Sequence, residues 1–127
     1  MVWKPGSGSR KLALLAAKLA ADKKAENISL LAVGRLSIVA DYFLLITGRS
    51  SIQVHAIGEH LIGNLRKSGY QEIRIEGYRE GWWVVLDYGS LVIHIFQPDA
   101  REFYNLDRLW SDADLVKLDI DLPPLAT

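Results

Sequence analysis

Gly48-Arg49-Ser50-Ser51 sits between an apolar run, Tyr42 to Thr47, and a stretch of helical periodicity. Free backbone amides at a helix start are a ready phosphate cradle, so this junction is where phosphoryl chemistry would be sought. Nucleotidyl transfer also needs carboxylates to hold a metal, usually two on the next strand. The next strand is Ile73-Arg74-Ile75-Glu76, with one carboxylate beside an Arg, and Asp87 stands at the far end of another strand. Without that charge, Ser50 or Ser51 reads as a helix cap. His55 and His60 are five residues apart in one helical stretch and do not share a face, so they read as solvated. His94 lies mid-strand, in step with Val92 and Phe96, and reads as a satisfied core or interface histidine. The chain has no Cys, which excludes thiolate and disulfide chemistry. No Cys, His and carboxylate set has zinc spacing, and no Ser, His and Asp arrangement can be assembled. The expectation is no catalytic residue, no cofactor and no metal: not an enzyme.

The aromatic residues carry more. Trp82 and Trp83 are neighbours in an extended run and should point to opposite faces. Either both cover apolar edges, or one anchors a partner, since Trp is enriched at binding hot spots. Tyr88, in the following turn, is expected to be exposed.

The elements that must position these residues follow from periodicity. Residues 10–26 repeat apolar positions at helical spacing, with Leu12, Leu15, Ala16 and Leu19 in step, and read as a helix packed on a sheet. Ile28 to Val33 and Tyr42 to Thr47 read as strands. The second is apolar throughout, hence central and covered on both faces. Ser50-Ser51-Ile52-Gln53 matches a capping box, after which Val54, Ile57, Leu61 and Leu65 form one stripe and Ser68-Gly69 ends the helix. Ile73 to Glu76 is a short strand. Two β-branched runs flank Asp87-Tyr88-Gly89-Ser90, the signature of a hairpin, and Pro98 ends its second strand. One short helix then carries Phe103, Leu106, Leu109 and Trp110 on one side. The order is α-β-β-α-β-β-β-α. It predicts a mixed α/β sheet of about five strands with helices packed on it, the strand–helix–strand unit around the second helix being a right-handed crossover with parallel strands.

Length allows one domain: the chain has 127 residues, half of them hydrophobic. Residues 1–9 read as a flexible tail, 10–111 as the α/β domain, and 112–127 as an extended acidic tail. Fifteen basic and fifteen acidic residues balance, which argues against bulk electrostatic binding of nucleic acid. No apolar run is long enough to span a bilayer and the start lacks the apolar core of a signal peptide. No membrane contact is expected, and the cytoplasm is the expected compartment.

Two blocks carry a resemblance. The first is Ala40-Asp41-Tyr42-Phe43-Leu44-Leu45-Ile46-Thr47-Gly48-Arg49-Ser50-Ser51 with Gln53-Val54-His55-Ala56-Ile57. The second runs from Trp82 through Asp87-Tyr88-Gly89 and Val92-Ile93-His94-Ile95-Phe96 to Arg101-Glu102-Phe103-Tyr104-Asn105-Leu106-Asp107-Arg108-Leu109-Trp110. In this order they resemble the Iojap family, the ribosomal silencing factors, over residues 11–111. The resemblance implies a nucleotidyltransferase-like topology without the catalytic carboxylates. It implies binding to the large ribosomal subunit through its protein numbered fourteen, steric exclusion of the small subunit, and repression of translation when nutrients are scarce. A role in subunit assembly and homodimer formation also belong to what it implies. The contact residues it points to are Trp83, Asp87, Tyr88 and Leu91, with Asp41 and Arg101 as charged members of the matching blocks. Ser90 stands where many members carry Asp, and Trp82 adds a second ring. Two other functions fit the residues alone: a nucleotide-binding or nucleotidyl-transferring enzyme, and an RNA-binding ribosome assembly factor.

Overall fold

Strand β2 (Tyr42–Thr47), buried at every residue, is the axis of the fold. In the computed structural model, which describes residues 7–118, it lies between β5 (Leu91–Phe96), parallel to it, and β1 (Glu26–Ala32), antiparallel. The hairpin partner β4 (Trp83–Asp87) pairs antiparallel with β5, and β3 (Arg74–Glu76) with β4. A short strand β6 (Asp114–Val116) pairs with β1. The sheet therefore has six strands in the order β3-β4-β5-β2-β1-β6. The sixth comes from the stretch read as an acidic tail, whose residues 119–127 lie outside the described part. At the other end, helix α1 (Ser7–Asp22) begins inside the stretch read as a flexible tail; residues 1–6 are likewise outside it.

The crossover through α2 (Ser51–Lys67) differs in detail from expectation. It leads to β3 at the sheet edge, while the parallel neighbour of β2 is β5. The Ser50 cap forms as expected, and the return bond from Gln53 falls one residue earlier, on Arg49. Ser50 Oγ accepts from Gln53 N at 3.2 Å, and Gln53 Oε1 accepts from Arg49 N at 2.7 Å. Gln53 Nε2 also donates to Lys24 O at 3.2 Å, tying the end of α1 to the start of α2.

Burial alternates along β4 and decides the layers. Val84 and Leu86 join Leu44, Ile46, Ile93 and Ile95 under α1 and α2, forming the main core. Phe43, Leu45, Val92 and Phe96 face the other way. That second face is covered only in part, by α3 (Pro98–Tyr104) and α4 (Leu106–Leu109). These replace the single helix expected. Asn105 adopts φ 49° and breaks it, a left-handed conformation that Asn tolerates better than most residues. The break turns Ala100, Leu106 and Trp110 toward the sheet and leaves Phe103 and Leu109 exposed.

Candidate protein-recognition site

The uncovered half of the second face is a shallow groove of about 220 Å³ lined by Val39, Phe43, Val85, Val92 and His94, with Arg74, Glu76 and Asp87 at its rim. Its floor is the pleat of β2, β5 and β4. Phe43 pairs with Val92, and Val85 with His94, so these side chains stand on one face. Val39, on the loop between β1 and β2, is 70% exposed beside a fully exposed Ile38. Asp41 N and Tyr42 N both donate to Ser90 O, at 2.9 and 3.0 Å, which clips this loop to the hairpin turn. The two sequence blocks thus meet at one end of the sheet.

The turn itself is closed by local hydrogen bonds. Asp87 Oδ1 accepts from Gly89 N at 2.8 Å, and Gly89 takes φ +83°, open to glycine and strained for other residues. Asp87 also receives Arg74 Nη2 at 3.5 Å. Tyr88 departs from expectation. It is only 8% exposed and packs into the main core, where its hydroxyl has no hydrogen-bond partner. Burial pushes its pKa up to about 12, with nearby Glu72 adding to the effect. The turn geometry folds the ring under the sheet. Leu91 is fully buried as well. Neither presents a surface as the chain stands; both set the shape of the turn from below.

Trp83 lies at the opposite end of β4 from Asp87, about 13 Å away at the usual rise per residue. It is half-buried on the groove face, stacked on Phe96 at 5.4 Å and tilted against Tyr104 at 4.3 Å. Its Nε1 donates to His94 Nδ1 at 3.1 Å. Gly77 holds the start of this strand closely: a Cβ there would come within 2.1 Å of Trp83 O. Trp82 precedes the strand, so strict alternation does not apply to it. Its Nε1 donates to Asp99 Oδ1 at 3.0 Å, and its ring meets the same Tyr104 at 5.6 Å. The two indoles converge on one tyrosine instead of pointing apart.

Arg101 lies near the Trp83 end, away from the turn. Its Nη1 donates to Thr47 Oγ1 at 3.0 Å and to Asn27 O, and the guanidinium pairs with Asp107. With its side chain 12% exposed, it is a clasp between sheet and helices. His55 and His60 are not free in solvent either. His55 Nε2 meets Tyr78 O, and His60 Nδ1 meets Asn64 Nδ2 at 3.1 Å. The groove residues Val39, Phe43 and Val92 escaped the sequence reading. For Phe43 and Val92 the only signal was alternation with core positions on the same strands; Val39, on a loop, gave none.

The phosphate reading of Gly48-Arg49-Ser50 has a different answer. Arg49 N is occupied by Gln53 and Gly48 N donates to Phe96 O at 2.8 Å. Asp87, paired with Val92, is at the other end of the sheet.

Fold and site together define a small mixed α/β domain with a shallow, largely apolar groove on one sheet face. Comparison with known proteins gives the family and supports the fold. A sequence model described as ribosomal silencing factor during starvation matches residues 7–126, and the chain belongs to that family. The ribosomal silencing factor RsfS of Bacillus subtilis is 42% identical over 108 residues, covering 85% of this chain and 92% of that protein. Chloroplastic protein Iojap of Zea mays is 31% identical over 105 residues, covering 83% of this chain and 46% of that one. A crystal structure from Bacillus halodurans superposes with a TM-score of 0.77 at 38% identity, over 86% of this chain and 99% of that one. Another, from Chromobacterium violaceum, gives 0.79 at 25% identity, over 91% and 95%. The family is named for silencing, not for catalysis.

Proposed function

We propose that this protein binds the large ribosomal subunit through its protein numbered fourteen and sterically blocks joining of the small subunit, repressing translation when nutrients are scarce. Membership of the silencing-factor family supports the reading. The observation that carries it is the partly covered second face: an apolar groove rimmed by Arg74, Glu76 and Asp87, with Trp83 packed on Tyr104 beside it on the same sheet face. A blocker of this kind needs affinity and no chemistry, and a fixed aromatic anchor with a polar rim supplies affinity.

In this reading Trp83, Asp87 and Asp41 make the contact. Tyr88 and Leu91 support the turn from the core, and Arg101 fixes the helices that frame the face. Cytoplasmic action and self-association belong to the same proposal, the latter from the family resemblance. Sedimentation of purified subunits with wild-type protein and with Trp83→Ala tests it. Wild type should travel with the large subunit and reduce joined ribosomes, and the variant should do neither. Wild type remaining at the top of the gradient would contradict the proposal.

A further inference from the structure

The groove floor contains a polar ring, His94, to which the proposed function assigns no role. His94 is 7% exposed, flanked by Phe43 edge-on at 5.4 Å and by Trp83 and Phe96 stacked at 5.9 Å each. Its Nδ1 accepts the Trp83 indole proton at 3.1 Å. A neutral imidazole carries one N–H, so an accepting Nδ1 places that proton on Nε2. Burial holds the pKa down near 4, which keeps the ring neutral at physiological pH. Nε2 has no hydrogen-bond partner among the described residues, and the ring lines the groove. The result is a donor of fixed tautomer, on a largely buried ring, opening onto a floor otherwise made of Val39, Phe43, Val85 and Val92.

A donor at the floor of a groove costs affinity when a partner covers it without an acceptor and gives discrimination when an acceptor meets it. The ligand it selects must bring an acceptor and apolar surface together and fit a shallow, open groove. A protein segment does this: an apolar side chain lies on the floor while an adjacent main-chain carbonyl accepts. Glu76 and Asp87 against Arg74 leave the rim net negative, so a segment with basic flanks is favoured. We propose that His94 Nε2–H is a recognition donor to a main-chain carbonyl of the protein partner, with Trp83 fixing its tautomer. This deepens the silencing reading and rests on it.

Two substitutions separate the nitrogens. The amide of Asn can reach the Nδ1 position, so His94→Asn can keep an acceptor for Trp83 and lose the outer donor. The amide of Gln can reach the Nε2 position, so His94→Gln can keep the donor and lose the inner acceptor. Each variant is checked for folding by thermal unfolding and by its Trp83 indole N–H resonance, then titrated against purified large subunits. The expected result is binding weakened about tenfold by Asn, the worth of one hydrogen bond, and less by Gln. Equal binding by wild type and Asn overturns the assignment. So does a Gln variant weaker than Asn, which would make His94 only a support for Trp83. Wild type failing to bind large subunits removes the parent reading, a result distinct from either of these. If Asn does not fold, the comparison rests on Gln, for which a loss of tenfold or more overturns the donor and a smaller one supports it.

Discussion

The Arg101 guanidinium grips the Asp107 carboxylate twice, Nε to Oδ2 at 3.1 Å and Nη2 to Oδ1 at 2.9 Å, across the break at Asn105. The same side chain reaches Thr47 on β2. One residue thus fixes the angle between α3 and α4 and the seat of both on the sheet. Its hydrogen bond holds the Asp107 carboxyl below the usual range. Arg101→Ala should destabilise the fold by about 1–3 kcal/mol, since it leaves Thr47 and a carboxylate less well satisfied. Thermal unfolding of Arg101→Ala, Asp107→Ala and the double variant checks this. Coupling of the two losses is the expected outcome, and strict additivity would show that the pair does not act as a unit.

Tyr88→Phe should stabilise the protein. The hydroxyl is buried without a partner, and removing an unsatisfied polar group from a core gains about 1 kcal/mol. A rise in Tm of a few degrees is expected for a domain of this size. Wild type should also lose stability as pH climbs from 10 toward 12. The folded pKa, about 12, lies above the ordinary value of 10, so in that window the unfolded chain gives up a proton that the folded chain retains. The Phe variant should show a shallower fall.

Acid acts through His94. Its folded pKa of about 4 lies below the ordinary 6.5. Between these values the unfolded chain binds a proton and the folded chain does not, so stability falls as pH drops through the window. Full protonation of the unfolded state is worth on the order of 3 kcal/mol. Urea unfolding at several pH values should show this slope in wild type and a reduced one in His94→Gln.

Local chemistry was readable in the sequence, and geometry between elements was not. Ser50, Gln53 and the Asp87–Gly89 turn act over two to four residues, and each appears as expected. Burial of Tyr88 depends on which side of the sheet a turn ring falls, which periodicity does not encode. Asn105 sits inside a plausible helical pattern, and its left-handed backbone conformation overrode that pattern. Strand β6 has two exposed residues of its three and owes its place to pairing with β1. The groove was hidden for the same reason: Phe43 and Val92 read as core and are buried, and only the partial cover by α3 and α4 lets them also floor a shallow groove.

Val39 gives the cleanest test of the central claim, because it lines the groove yet is 70% exposed. Val39→Glu puts a charge into the apolar face without opening the core, so unfolding should be unchanged within about 0.5 kcal/mol. The measurement is sedimentation of purified large and small subunits with wild type and with this variant. Wild type should migrate with the large subunit and deplete joined ribosomes, while the folded variant stays at the top and leaves joining intact. A Val39→Glu protein that binds and blocks as well as wild type would contradict the assignment of this face.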